Sequence, residues 1–84
     1  MAILQIEYHV PDFDEWKAMF DQDPMGRATH GVTEHTIFRS PHDPGHLLLM
    51  LEFDSVDRAS AFREVLAPVW EISGAGRSWI LDHS

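Results

Sequence analysis

The longest apolar run of the chain, Leu47 to Leu51, constrains the fold more than any other feature. Residues 47–53 are apolar on both faces apart from Glu52, which is the pattern of an interior strand with other groups packed on each side. The run is far shorter than the roughly 20 residues that a membrane-spanning helix needs. The sequence therefore predicts a central strand in a sheet covered on both faces.

Three other segments are also predicted to be strands. Residues 3–10 alternate between apolar and polar side chains, as in a strand with one buried face. Residues 32–39 are rich in Thr and other β-branched residues, and the turn-forming residues 40–45 join them to the central strand as a hairpin. A short last strand is predicted over residues 78–82.

Two segments are predicted to be helical. Asp12 and Glu15 have the spacing of an N-terminal capping box, and a helix is predicted over residues 13–22. A second helix begins after Asp54 or Ser55 and is expected to end or bend at Pro68 before a loop at residues 73–76. The apolar stripe of the second helix consists of Ala59, Phe62, Leu66 and Val69.

The predicted order β-α-β-β-α-β is the ferredoxin-like arrangement. We therefore expect one α+β domain over residues 1–84, with a four-stranded antiparallel sheet, strands one and three in the middle, and both helices on one face. The other face then carries apolar residues of strand three that no helix covers. We expect a second copy of the chain to cover them, which gives a homodimer through the sheet faces. These apolar residues are either Leu48 and Met50 or Leu47, Leu49 and Leu51.

Composition excludes several classes of partner and chemistry. Fourteen acidic residues against six basic ones give a formal net charge of −8, so we expect neither a nucleic-acid nor a membrane partner. Because the chain has no cysteine, disulfides, thiolate metal sites and thiol nucleophiles are excluded. The first residues lack the basic n-region of a signal peptide, and we expect a cytoplasmic protein.

A set of short motifs between about residue 3 and residue 66 is characteristic of one superfamily. The motifs are His9-Val10-Pro11-Asp12-Phe13-Asp14-Glu15-Trp16-Lys17, Phe20-Asp21, Arg27, Gly31, Phe38-Arg39, Asp43-Pro44 and Glu52-Phe53-Asp54. In these residues the sequence resembles the dimeric α/β-barrel superfamily, and it is most similar to short, uncharacterised cyclase-like proteins related to the antibiotic biosynthesis monooxygenase domain. The resemblance implies a homodimer packed sheet against sheet, with a ligand pocket between the sheet and the helices of each chain.

The resemblance also implies a ligand class. A small apolar, aromatic or polyketide-like compound would bind, and any activity would be that of a cofactor-free monooxygenase or cyclase. The chain has no Asn, whereas quinone-forming and haem-degrading relatives use a strand Asn with a Trp. The alternative is a non-enzymatic dimeric module without a small-molecule site, in which the aromatic residues fill the core. Its interface would then be the only role of Gln5, Glu7, His9 and Glu52. The pocket candidates are Tyr8, Trp16, Phe20, Phe62 and Trp70.

Two histidines are the candidate catalytic residues. By alternation His9 shares a face with Gln5 and Glu7, and Glu52 lies on a neighbouring strand. Such a group provides a general base or a metal site, or a polar network that fixes the register of a dimer, and we interpret it as the network. His35 would add a titratable group to the pocket if it faces the helices, which alternation does not decide.

The remaining histidines do not predict a metal site. His42 and His46 lie four residues apart, the spacing of a metal pair on a helix. Pro41, Pro44 and Gly45 exclude a helix at this position. We therefore expect neither a metal nor another cofactor.

Overall fold

The chain folds in the predicted order β-α-β-β-α-β. The structure is a computed structural model that describes residues 1–23, 26–73 and 75–82, with side chains described outside residues 68–75. Its elements are β1 (Ala2–His9), α1 (Phe13–Asp21), β2 (Val32–Arg39), β3 (His46–Phe53), α2 (Val56–Ser73) and β4 (Ala75–Asp82).

The four strands form one antiparallel sheet in the order β2-β3-β1-β4, with β1 and β3 in the middle as predicted. In the register of β1 and β3, Leu4 lies opposite Leu51 and Ile6 opposite Leu49. These side chains are buried against the helices. Alternation along a strand then places Leu48 and Met50 on the sheet face that points away from the helices, which we call the far face. This decides between the two sets of apolar residues that the sequence left open.

The core lies between the sheet and the two helices. Helix α1 begins where the Asp12 side chain accepts a hydrogen bond from the Glu15 backbone N–H at 3.2 Å, as the capping spacing predicts. It buries Trp16 and Phe20. Helix α2 contributes three residues of its predicted stripe, namely Ala59, Phe62 and Leu66. No helix within the described residues is long and apolar enough to cross a membrane.

Two predicted boundaries near the end of the chain are wrong. Helix α2 continues through Pro68 to Ser73, and β4 begins at Ala75, so Ser73, Ala75 and Gly76 of the predicted loop belong to regular elements. A proline removes one hydrogen bond from a helix, and packing of the preceding turns offsets that loss. Pairing of Ala75 with Tyr8, past an irregularity in the register, extends β4 toward α2.

The connection between α1 and β2 contains a hydrogen-bonded turn. The His30 backbone N–H donates to the Gly26 carbonyl at 3.2 Å, and Gly31 has a positive φ of 94° that glycine adopts readily. The Arg27 guanidinium lies 3.6 Å from the Asp23 carboxylate.

Candidate functional site

Three of the predicted pocket residues pack together between the sheet and α1. The ring centroids of Tyr8 and Trp16 are 5.2 Å apart, and those of Trp16 and Phe20 are also 5.2 Å apart. Their side chains are almost completely buried, with 5–9% exposure. We call Tyr8, Trp16 and Phe20 the aromatic group.

The other two predicted pocket residues lie on α2. Phe62 is 2% exposed and packs on Phe53 and His30, with centroid distances of 5.8 and 5.1 Å. It therefore fills a different part of the core from the aromatic group. The side chain of Trp70 lies outside the described residues.

The aromatic group has two polar side-chain atoms, the hydroxyl oxygen of Tyr8 and the indole nitrogen of Trp16. Burial raises the pKa of Tyr8 to about 12, because ionisation would place a charge in an apolar environment. Within the part of the chain whose side chains are described, no hydrogen bond reaches this hydroxyl. Buried polar groups normally have a partner, and the described residues do not supply one.

His35 lies on the face of the sheet that carries the helices. It is the register partner of Leu51, which is buried against them. Its ring contacts Phe20 edge-on at a centroid distance of 5.1 Å, while the residue remains exposed to solvent. His35 therefore lies at the solvent edge of the aromatic group, and the face that alternation left undecided is the helix face.

His9 lies on the far face, at the end of β1. Its ring stacks on that of His46 with a centroid distance of 4.4 Å and an interplanar angle of 5°. The His46 Nε2 atom lies 2.9 Å from Oε2 of Glu7. The Arg77 Nε atom donates to Oε1 of the same carboxylate at 3.3 Å. The pKa of Glu7 is lowered, first by the hydrogen bond from His46 and then by Arg77, against the opposing effect of burial.

The sequence placed Glu7 and His9 together but missed His46. His46 is the first residue of β3 and the register partner of His9. Antiparallel pairing of the first and third strands was predicted, but the register that brings these two histidines together was not. Glu52, which the sequence grouped with His9, lies opposite Glu34 instead. The pKa of Glu52 is raised by its hydrogen bond with the Glu34 carboxyl group and by burial.

Large apolar side chains lie exposed on the far face. Phe38 is 53% exposed, Trp79 37% and Leu81 46%. The registers of β2 and β4 place them on the same face as Leu48 and Ile3. This face is the one that the sequence predicts to pack on a second copy of the chain.

Three surface clefts lined by described residues lie outside the aromatic group. One, of about 210 Å³, borders His46 together with Phe38 and Leu48 on the far face. The second, of about 360 Å³, lies between α2 and Ile80, and the third, of about 250 Å³, lies beside Phe13. None of the three is lined by Tyr8 or Trp16.

The sheet order and the two helices on one face define a ferredoxin-like α+β protein, as predicted. A solved antibiotic biosynthesis monooxygenase superposes with a TM-score of 0.66 and 12% identity, over 100% of this chain and 99% of that one. A candidate antibiotic biosynthesis monooxygenase from Nitrosomonas europaea gives a TM-score of 0.59 and 17% identity, over 99% and 98%. An uncharacterised NIPSNAP domain protein from Burkholderia xenovorans gives 0.64 and 15%, over 100% and 95%.

The chain therefore has the fold of the antibiotic biosynthesis monooxygenase domain proteins, and the resemblance inferred from the sequence is confirmed at the level of fold. At these identities the similarity establishes the fold alone, because one fold serves many functions. No protein-family model matches the chain, and no curated protein matches it.

Proposed function

We propose that this protein is a homodimer in which each chain binds a small aromatic or polyketide-like molecule between its sheet and its helices. The observation that carries the ligand site is the buried Tyr8 hydroxyl, which has no partner among the described residues. A hydroxyl or carbonyl oxygen of a planar ligand would pair with it. The neighbouring rings of Trp16 and Phe20 provide the apolar surface that such ligands need.

The dimer is supported by the far face. Phe38, Trp79 and Leu81 are exposed on it, together with the partly exposed Ile3, Leu48 and Met50. Pairing this face with that of a second copy removes apolar surface from water. A stable pair requires a total buried area of at least about 1,200 Å².

If the bound molecule is turned over, the reaction that we propose is a cofactor-free oxidation or cyclisation. Proteins with this fold include ones described as antibiotic biosynthesis monooxygenases. His35 is a histidine in contact with Phe20 of the aromatic group. It is therefore our candidate for moving a proton, because imidazole nitrogens can both accept and donate one.

A non-enzymatic dimeric module is the second candidate function. The packing of Trp16 against both Tyr8 and Phe20 favours it. Rings that pack closely on one another leave less room for a ligand. In that case the aromatic group is core only. The far face would then be the functional surface.

Thermal unfolding of the purified protein with an excess of menadione, flavin mononucleotide or haemin tests the ligand site. Any compound that binds the native state raises the apparent Tm. We expect menadione, a planar quinone, to raise the Tm of the wild type. We expect a smaller rise for Tyr8→Phe, which removes only the hydroxyl, and for Trp16→Phe.

Trp79→Phe is the matched control, because it replaces a ring on the far face. It should keep the wild-type rise in Tm with menadione. If none of the three compounds changes the Tm of the wild type while the protein is a dimer, the second candidate function replaces the first. If menadione raises the Tm of Trp79→Phe as little as that of Tyr8→Phe, the ligand does not bind specifically at the aromatic group on the helix face.

A further inference from the structure

We propose that Glu7, His9 and His46 form a binding site for a divalent transition-metal ion, with Zn²⁺ the best fit. We call these three residues the histidine cluster. It lies on the far face, whereas the aromatic group lies on the helix face. The inference is therefore independent of the proposed ligand pocket.

The backbone places the three side chains together. Glu7 and His9 are two residues apart on β1 and so point to the same face. His46 is the register partner of His9 on β3, and side chains of directly opposed residues in an antiparallel pair are neighbours. One ligand atom of each residue can be chosen such that all three atoms lie within 4.8 Å of one another.

The cluster needs only a small rearrangement to hold an ion. With Zn–N bonds of roughly 2.0–2.1 Å, the ligand atoms of a tetrahedral site lie about 3.4 Å apart. The His46 Nε2 atom and the Glu7 Oε2 atom, at 2.9 Å, are already close enough to share an ion. His9 stacks on His46 with nearly parallel rings, so its ring must turn to aim a nitrogen at the same point. His9 is exposed to solvent, and turning its ring disturbs no core packing.

The donor set matches the chemistry of first-row divalent ions. Two imidazole nitrogens and one carboxylate oxygen suit Zn²⁺ and its neighbours better than Ca²⁺ or Mg²⁺, which prefer oxygen ligands. Arg77 donates to Oε1 of Glu7 and leaves Oε2 directed at His46, as outer partners orient ligating carboxylates in metal sites. The net charge of −8 favours the approach of a cation.

Three protein ligands leave at least one coordination position for water or another oxygen ligand. His46 also borders the far-face cleft with Phe38 and Leu48. A small molecule in that cleft would lie beside an ion bound to His46. All three ligands come from one chain, so the site does not need a residue from a second copy.

The test is a titration of EDTA-treated, dialysed protein with Co²⁺ at neutral pH, followed by visible absorption, with Zn²⁺ then added as competitor. We expect saturation at one Co²⁺ per chain, with the intense visible bands of a site of low coordination number, and their loss when Zn²⁺ replaces Co²⁺. His46→Gln and Glu7→Gln should each weaken Co²⁺ binding at least 10-fold. His42→Gln is the matched control, because His42 is an exposed histidine in the neighbouring turn, and it should bind as the wild type does.

Circular dichroism and the Tm of each variant establish that it is folded, and His9→Gln replaces any variant that is not. Absence of saturable Co²⁺ bands with folded wild type would overturn the metal site and leave the cluster a hydrogen-bonded ion pair. Equal weakening by His42→Gln and His46→Gln would overturn it too, because binding would then be to surface histidines in general. Saturation at one ion per two chains would contradict a site built within one chain. None of these results bears on menadione binding at the aromatic group.

Discussion

At the scale of single residues, Tyr8 can be observed directly, because it is the only tyrosine of the chain. Alternation along β1 grouped it with Leu4 and Ile6, and the structure buries all three on the helix face. The sequence could not predict that its hydroxyl would be buried without a partner among the described residues. That property depends on how closely Trp16 of α1 packs on the ring, and packing distances are set by the tertiary structure.

We expect the tyrosine of the folded protein to titrate well above its ordinary range. Burial raises the pKa of Tyr8 to about 12, whereas an unfolded tyrosine titrates near pH 10. The folded chain thus holds this proton more tightly, and the associated stability is complete below about pH 10 and is lost as the pH rises toward 12. Phenolate absorbance in the near ultraviolet measures the midpoint, with Tyr8→Phe as the blank. A midpoint near 10 with an unchanged circular dichroism spectrum would contradict this burial.

Trp16 provides a second prediction at this scale. It is 5% exposed, and its replacement by Ala should lower the free energy of unfolding by about 3–5 kcal/mol, as for other large core residues. Met19→Ala on the same helix, at a residue 45% exposed, should change it by about 0.5 kcal/mol or less. Urea titration measures both. A small loss for Trp16→Ala, accompanied by loss of menadione binding, would show that Trp16 serves the ligand rather than the core.

Most of the strands and helices could be predicted from local sequence patterns, and the errors lie at the ends of two elements. Burial of one face gives β1 its alternating pattern, and β2 has the predicted bounds because a glycine and a dense turn flank it. The end of α2 was mispredicted because Pro68 weakens a helix only locally. Strand β4 was predicted too short because its first residues pair with β1 around a register shift, which sequence alone does not reveal.

The turn that begins β3 provides a prediction at the scale of elements. The Val10 backbone N–H donates to the Gly45 carbonyl at 2.8 Å, and a Cβ added to Gly45 would overlap the carbonyl oxygen of Val10. Gly45→Ala should therefore separate the end of β1 from the start of β3 and lower the free energy of unfolding by about 1–3 kcal/mol, as overpacking does.

Gly76→Ala in β4 is the matched control. There the new Cβ would lie 3.7 Å from the nearest atom, the Glu7 carbonyl oxygen, which is an ordinary contact. Its effect on the free energy of unfolding should be within about 0.5 kcal/mol. Both values come from the same urea titration, and equal losses for the two variants would contradict the close approach at Gly45.

At the scale of the whole molecule, the far face is the surface on which the proposed dimer depends. Helices cover one face of the sheet, and Phe38 on the other is more than half exposed. The alternation of β1 and the apolar run of β3 together predicted that such a face would exist, because the ferredoxin-like order places both helices on one side of the sheet. The histidine cluster on the same face was not predicted, because it depends on strand register.

A charge placed on the far face should separate the two chains. Phe38→Glu adds a carboxylate where the proposed interface is apolar, and burying an unpaired charge is strongly unfavourable. Val65→Glu is the matched control, because Val65 is an exposed apolar residue of α2, 37% exposed. We expect Phe38→Glu to shift the protein to monomers at concentrations where Val65→Glu remains dimeric, as measured by light scattering. Equal behaviour of the two variants would place the interface elsewhere.

The most direct test of the proposed assembly is sedimentation equilibrium of the wild-type chain at micromolar concentration. One chain has a mass of 9.6 kDa. If two far faces pack together, the measured mass will be twice that of one chain and will fall toward the single-chain value only on dilution. A mass of 9.6 kDa at every concentration up to the solubility limit would contradict the dimer and leave the far face exposed to solvent.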